Sequence, residues 1–416
     1  MRRFRNVDPL WAYVGLSLGG SLFFTSAFTT NLLYYVQTVG LDPLQMVLMG
    51  TILEGTILIF EVPTGILADM HGRKASLAIG YGLTAAAFVL QALVPSVWAV
   101  ALAQAVWGVG YTFTSGAHEA WIADEVGLER AGEAFSRGGQ VGQVASLVGI
   151  ALAGIVGAVD LALPILICGL GFALMGILVV LLLPEHGFQP IRVADWSGWR
   201  AMGETLTRSV QLARRQRTVM WLLLSGIAMG LYSEGYDRLW MAHMLTGIGL
   251  PIQPSLPAAV WFAGIRIVSA LLGIVTMEFA RRRLLSGDDR GLSLLLGANA
   301  IGIAVGILMM ALSCSFWLAA AAAICVDPLR GAASLLRTIW LNRQIDDSGV
   351  RATVFSAVGQ ADSLGQVVGG PAVGWLAKVV SVPLGMSVSA LLLLPVVPIY
   401  ACAASAAKPP TRLNDT

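Results

Sequence analysis

Twelve long apolar runs, separated by short polar turns, constrain this chain more than any other feature. They cover residues 10–36, 43–68, 75–95, 97–123, 134–159, 162–183, 218–244, 254–279, 291–312, 315–340, 351–377 and 382–404. About twenty apolar residues cross the hydrocarbon core as a helix. Backbone polar groups have no water to bond there, so helices that satisfy themselves are the available solution. The runs are continuous rather than alternating, which excludes a lipid-spanning β-barrel. Of 416 residues 56% are hydrophobic and 12% charged, against about 25% charged in soluble domains. The sequence therefore predicts an all-α membrane protein of twelve transmembrane helices, with both ends on one side because twelve is even.

Lysine and arginine set the orientation. The turns after runs 2, 4, 8 and 10 hold Arg73-Lys74, Arg130, Arg281-Arg282-Arg283 with Arg290, and Arg343 to Arg351. The opposite turns, Gly40 to Pro43 and Leu250 to Pro254, hold none, and only Lys378 lies near that side. This predicts cytoplasmic termini in a plasma (inner) membrane. The basic start, Arg2, Arg3 and Arg5, leads into a run too long for the core of a cleaved signal peptide. Cys168, Cys314, Cys325 and Cys402 lie in or at the ends of apolar runs with no paired spacing. They read as small packing residues, not as a disulfide or metal set.

The longest polar connector, residues 184–217, carries Arg192, Arg200, Arg208, Arg214, Arg215 and Arg217. Trp196, Trp199 and the segment from Met202 to Arg215 suit a basic interfacial helix. The connector divides the chain into a six-helix half 1–183, a cytoplasmic linker 184–217 and a six-helix half 218–416. An internal repeat supports the division. Phe135-Ser-Arg-Gly-Gly-Gln140 aligns with Phe355-Ser-Ala-Val-Gly-Gln360, an offset of 220 that places Gly149 opposite Gly369. Thr38 to Leu41 before Pro43 similarly resembles Thr246 to Leu250 before Pro251, an offset near 209. Re-use of a helix in the same order and orientation is a parallel repeat.

Between runs 2 and 3, residues 61–74 read Glu-Val-Pro-Thr-Gly-Ile-Leu-Ala-Asp-Met-His-Gly-Arg-Lys. Gly65, Asp69, Gly72, Arg73 and Lys74 match G-x-x-x-D-x-x-G-R-K, which resembles the signature between the second and third helices of the major facilitator superfamily. That resemblance implies the major facilitator fold, with two parallel-repeat halves working by alternating access. It further implies a cytoplasmic gate in which Asp69, Arg73 and Asp124 form an ion-pair relay that breaks when the transporter faces inward. Asp69 and Arg73 are four apart and within reach on a helix end. A worn counterpart in the second half pairs Glu278 with Arg282, with Asp346-Asp347 after run 10. Ordinary flanking charges, worth under about 1 kcal/mol per exposed pair, are the alternative reading.

Four charges, Glu54, Arg266, Asp327 and Asp362, fall near the bilayer midplane. An ionised group there costs at least ~2.5 kcal/mol, so each should face a cavity or a partner. Arg266 with Asp327 or Asp362 as a silent structural bridge is one reading, and a transport role is the other. Protonation is the natural chemistry of an unpaired buried carboxyl, because desolvation disfavours its charged form. Glu54 is the first proton-coupling candidate, since no basic residue shares its half at that depth; Asp362 is the second, and Asp327 the third. Glu61 and Glu119, the latter beside His118, lie deeper as an exit route or as helix-end residues. Run 7 offers Glu234, Tyr236, Asp237, Arg238, Trp240 and His243 as pathway lining, or as an intrahelical pair with aromatic anchors. Run 1 offers Thr25, Thr29, Asn31, Tyr34 and Tyr35 at matching depth. The substrate-pathway set is Asn31, Tyr35, Glu234, Asp237, Arg238 and Arg266.

Glycines in run 5 (Gly138, Gly139, Gly142, Gly149, Gly154) and run 11 (Gly365, Gly369, Gly370, Gly374) permit close helix approach. In the resembling family these helices lie where the halves meet. Drug-proton antiporters of that family often carry an arginine four residues before the run-4 glycine; here Gln104 precedes Gly108. Their Gly-Pro signature in span 5 is missing, and Gly369-Gly370-Pro371 in run 11 resembles it. No G-x-x-x-x-G-K-[ST] loop, no Cys/His metal spacing and no large soluble region are present, so enzymatic and nucleotide-driven functions are not indicated. The expectation is a cofactor-free monomer in the lipid bilayer with no nucleic-acid partner. It would export small, largely apolar organic compounds, drug-like or metabolite, by proton antiport. Proton-coupled uptake of a small metabolite is the alternative, and a non-transporting sensor or scaffold the more distant one.

Overall fold

The computed structural model describes residues 7–189, 217–252, 255–285, 289–345 and 348–406, with residues 203, 207 and 211 between them. The arginines and tryptophans singled out between 192 and 215, and Asp346-Asp347, lie outside the described residues. Every element among the described residues is helical. The order is α1 (Pro9–Tyr34), α2 (Pro43–His71), α3 (Arg73–Leu93), α4 (Val97–Thr114), α5 (Ala117–Val126), α6 (Leu128–Gly157) and α7 (Ala162–Leu182). Beyond the linker come α8 (Arg217–Ala242), α9 (Ala258–Leu285), α10 (Asp289–Leu312), α11 (Phe316–Gln344), α12 (Ser348–Val379), α13 (Val382–Leu393) and α14 (Val396–Ala406). The π-helical turns Tyr35–Val39 and His243–Ile248 extend α1 and α8.

Local chemistry sets the ends. Asp8 caps α1 by accepting from the Leu10 amide at 2.9 Å, ahead of Pro9 in the first turn. Asp42 and Gln45 form a reciprocal capping box at the start of α2. Gly72 breaks α2 from α3 with φ 112°, a conformation that residues bearing a side chain adopt only under strain. Run 4 is broken at Ser115-Gly116 into α4 and α5.

Ten helical segments among the described residues are long and apolar enough to cross a membrane. The two remaining long segments, α8 with its π turn and α12, fall short of that measure. They are the ones that carry Glu234, Asp237 and Arg238, and Asp362, and those charges lower their hydropathy. Ten of the twelve long runs are thus apolar segments by composition, and two fall short, α8 through its charges and α12 through its glutamines, serines and glycines together with Asp362. Apolar side chains such as Trp98, Ile155, Leu181 and Val275 cover the outside, as expected of a surface facing lipid rather than water. All four cysteines are free; only Cys168 is buried, and the other three lie on the outer surface.

Helices α1 and α6 pack along each other, as do α8 and α12. A Cβ added at Gly149 would lie 2.5 Å from the Leu22 carbonyl oxygen, and one at Gly369 2.6 Å from that of Leu231. Leu22 and Leu231 are 209 apart and the glycines 220 apart, the two offsets read from the repeat. The same backbone contact is therefore made twice. Two seams join the helices before the connector, α1 to α7, to those after it, α8 to α14: α2 against α12 and α6 against α9. Both seams are tight at one end of the molecule. Gly374 packs on Val47 and Leu44, Gly157 and Gly154 pack on Ala259 and Ala263, and Lys378 reaches Asp42 at 2.9 Å.

Candidate functional site

A midplane cavity of about 520 Å³ lies between the two helix sets, lined by Phe28, Asn31, Glu54, Trp107, Glu234, Tyr236, Asp237, Arg238, Trp240, Arg266, Asp327, Arg330 and Gln366, among others. Nine residues named from the sequence converge there: Asn31, Glu54, Glu234, Tyr236, Asp237, Arg238, Trp240, Arg266 and Asp327. Glu234, Asp237 and Arg238 occupy one face of α8 because they sit at i, i+3 and i+4. Glu234 accepts from Arg238 Nε at 3.1 Å, both side chains nearly sealed. Asp237 takes a two-pronged contact from Arg330 on α11, with Nη2 to Oδ2 at 2.7 Å and a shorter contact through Nη1. The Arg330 guanidinium also lies 5.1 Å from the centre of the Tyr236 ring, a cation–π arrangement.

Two carboxylates in the cavity are held by neutral hydroxyls. Ser363 Oγ donates to Glu54 at 3.0 Å, from α12 to α2 across the seam. Tyr236 donates to Asp327 at 3.0 Å. Arg266 donates to the Phe28 carbonyl oxygen of α1 at 3.2 Å and has no carboxylate within 4.0 Å among the described residues. The silent bridge from Arg266 to Asp362 does not form. Asp362 faces a smaller side cavity of about 290 Å³, where it meets Arg337 at 3.4 Å and receives Gln366 Nε2 at 3.0 Å. It is a partnered group off the main cavity, since its face of α12 differs from that of Ser363. Tyr35 does not line the midplane cavity. It is fully buried behind the cavity, accepting from Asn31 and Gln104 and donating to Gln91, and so braces Asn31 rather than lining the path. His243 is buried against the Met310 carbonyl, and Tyr34 donates to the Gln91 carbonyl at 2.6 Å.

The cavity opens towards the end of the molecule that bears Arg73. Arg266 and Asp327 also line a space of about 300 Å³ that includes Thr25 and Ser146. Those two line in turn a broad vestibule of about 730 Å³ with Tyr13, Tyr111, His118, Glu119 and Gly138. The His118 ring stacks on Tyr13 with centroids 4.3 Å apart. The three spaces follow one another from vestibule to midplane and share lining residues, while the opposite end is closed by the tight seams and by Asp42–Lys378.

The motif cluster stands at the open end. Arg73 contacts Asp69 and lies 3.8 Å from Asp124, joining α2, α3 and α5. All three side chains belong to the first helix set, so the relay is in place while the vestibule is open. It joins α2, α3 and α5 to one another and makes no contact with the second helix set among the described residues. Sequence reading missed the rest of the cluster. Glu185 accepts the Lys74 amide at 2.9 Å, Lys74 Nζ reaches the Leu183 carbonyl, and Trp121 donates to the Pro184 carbonyl. A Cβ on Gly72 would lie 2.8 Å from the Glu185 carboxylate, whereas Gly65 has open space. Glu278 pairs with both Arg281 and Arg282, at 2.9 and 2.7 Å. Arg330 and Arg337 were also missed, although counting along run 10 places Arg330, ten residues from its end, at depth.

Among the described residues no three His, Cys, Asp or Glu side chains converge as a metal site. Outside the spans, burial pushes the Asp42 carboxyl up, but the Gln45 amide and Lys378 outweigh it and hold it below its ordinary value.

The family model described as Major Facilitator Superfamily matches residues 14–343. A relative in Bacillus subtilis (strain 168), "Uncharacterized MFS-type transporter YxaM", is 22% identical over 210 residues; the match covers 50% of this chain and 52% of that relative, so the chain spans about half its length. The solved structure of nucleoside transporter NupG superposes with a TM-score of 0.69 at 16% identity, over 96% of this chain and 98% of that one. A POT family transporter in complex with 5-aminolevulinic acid gives 0.73 at 12% identity, over 95% and 96%. A bacterial homolog of the human lysosomal transporter Spinster, inward-facing and occupied, gives 0.73 at 13%, over 98% and 100%. These structural likenesses show the fold.

Proposed function

The chain belongs to the Major Facilitator Superfamily, and from that premise we propose that it is a proton-coupled secondary transporter exporting a small organic solute by antiport. In this reading twelve helices cross the bilayer as two halves, residues 1–183 and 218–416, joined by the linker 184–217. Both termini and the Arg73 end face the cytoplasm of the inner membrane, and a single chain suffices. The vestibule is then an inward-facing passage. Rocking of the halves about the midplane would open the Asp42–Lys378 end in turn.

One observation carries the coupling: Glu54 lines the solute cavity itself and is held only by Ser363 of the other half. Among the described residues no cation lies within bridging distance of it. A proton on Glu54 neutralises a charge inside the cavity and alters the contact across the seam, so proton and solute act on the same element. Asp327 shares the cavity as a second carboxyl; Asp362, paired with Arg337, serves the side cavity instead. Asp69, Arg73 and Asp124 hold the inner end of the first half as one body during the motion.

Uptake by symport is a second reading, favoured by Arg266, a cation without a carboxylate partner that can seat an acidic solute arriving with a proton. Purified protein in proteoliposomes, given a compound panel and an imposed pH gradient, separates the two. Antiport drives solute against the proton flow, and symport drives it along. Glu54→Gln should keep solute exchange between equal concentrations and lose gradient-driven accumulation. Gradient-driven accumulation undiminished in Glu54→Gln would remove Glu54 from the coupling, and no flux with any compound would favour a sensor or scaffold.

A further inference from the structure

The charges of the midplane cavity do not suit a largely apolar solute. Four carboxylates (Glu54, Glu234, Asp237, Asp327) and three guanidiniums (Arg238, Arg266, Arg330) line it. Two ion pairs are closed internally, Glu234 with Arg238 and Asp237 with Arg330. With Glu54 assigned to the proton, one group of each sign makes no ion pair within 4.0 Å among the described residues: Arg266, which donates to a backbone carbonyl, and Asp327, which accepts from the Tyr236 hydroxyl and feels Arg330 and Arg266 only at longer range.

We propose that the transported solute is a zwitterion of small-metabolite size, its carboxylate seated on Arg266 and its ammonium on Asp327. The proposal deepens the transport reading above and rests on it. An open guanidinium and an open carboxylate at bilayer depth are costly while unpaired. A ligand bearing both opposite charges satisfies both and leaves the cavity's net charge unchanged, which a simple anion or cation does not.

Three further features fit. Arg266 and Asp327 line both the midplane cavity and the space leading to the vestibule, so they stand where a solute arrives. Trp107 lines the cavity with its indole Nε1 buried and unpartnered, a donor available to a carboxylate. Phe28, Trp107, Tyr236 and Trp240 supply apolar walls for the solute's body, and about 520 Å³ lies within the usual range of small-molecule sites, roughly 300–1,000 Å³.

The seat also explains how occupancy is felt by the halves. The Arg266–Phe28 contact joins α9 of one half to α1 of the other. A carboxylate is a far stronger partner for guanidinium than a carbonyl already engaged in its helix. Binding therefore exchanges an inter-half contact for a solute contact.

The test is ligand binding to the purified full chain in detergent, read by thermal stabilisation and titration. The probes are α-amino acids, ω-amino acids and dipeptides, with their methyl esters (cation only), N-acetyl derivatives (anion only) and N-acetyl amides (neutral). At least one zwitterion should bind, with its ester and its N-acetyl derivative at least tenfold weaker. Arg266→Gln should erase the preference for acid over ester, and Asp327→Asn the preference for amine over N-acetyl; Arg266→Lys should restore part of the former. No zwitterion binding, or an ester that binds as well as its acid, overturns the proposal, as does an Arg266→Gln that weakens every probe equally. The comparison of probes on the unaltered chain stands even where a variant fails to fold. Binding needs no gradient, so zwitterion binding without pH-driven flux in vesicles would sink proton coupling and leave this assignment in place.

Discussion

Glu234 can be buried beside Arg238 because Gly50, on the facing helix, has no side chain. A Cβ at Gly50 would lie 1.6 Å from Glu234 Oε2 and 2.6 Å from Arg238 Nε, so Gly50→Ala must push the pair out of place. Overpacking of this kind costs about 1–3 kcal/mol, and we expect a lowered melting temperature with at least tenfold slower flux. Gly55→Ala on the same helix, where only Val367 at 3.9 Å is met, should change neither. A second residue-scale prediction concerns Arg330. Arg330→Gln leaves Asp237 as an unpaired charge, a loss of about 3–5 kcal/mol where a pair is buried, and less here since both side chains keep some exposure. Adding Asp237→Asn should recover most of that stability, measured as a double-mutant cycle by thermal melting. The i, i+4 pair of Glu234 and Arg238 was legible in the sequence because helix geometry alone brings it together. The partners Gly50, Ser363 and Arg330 were not, because each comes from another helix and depends on how the helices pack.

At the scale of elements, the repeat was legible through its glycines, and the structure gives the reason. Gly149 and Gly369 each lie against a main-chain oxygen, which cannot move aside as a flexible side chain can. Gly149→Val and Gly369→Val should therefore each lower folded yield and melting temperature, while Gly139→Ala, with open space around it, should not. The seam between α2 and α12 ends in Asp42–Lys378, whose side chains are 32% and 48% exposed. Such a pair contributes about 0.2–1 kcal/mol. The Asp42 carboxyl is held below its ordinary value of 3.8 in the folded chain, so its contribution is present above that value and is lost as pH falls through the lowered one. Asp42→Asn should remove that small contribution at neutral pH and flatten the acid limb, so that its melting curves run slightly below those of the unaltered chain near pH 6 and converge with them towards pH 3. Helix ends followed their caps closely, as at Asp8 and Asp42. What composition did not reveal was that α8 trades apolarity for charges that build the midplane cavity, while the α12 charge, Asp362, faces the side cavity. Nor did it reveal the segment 183–187 that docks Glu185 beside Arg73, since that contact joins residues over a hundred positions apart.

For the whole molecule, the vestibule, the intervening space and the midplane cavity follow one another from the Arg73 end and share lining residues, and the Asp42–Lys378 end is closed. Alternating access needs the reverse arrangement to exist as well, with the α2–α12 and α6–α9 seams opened and the vestibule collapsed. Cross-linking the closed seam, by cysteines at Leu44 and Gly374 in a background without the four native cysteines, should permit binding and stop net flux. The central claim is that a proton on Glu54 and a solute in the same cavity drive one cycle. It is tested most directly by loading proteoliposomes with a pH-sensitive dye and applying a gradient of a bound solute in the absence of any imposed pH difference. The account predicts that solute moving down its gradient drives protons in the opposite direction, and that Glu54→Gln lets the solute equilibrate with no proton movement. Undiminished proton movement in Glu54→Gln would contradict it.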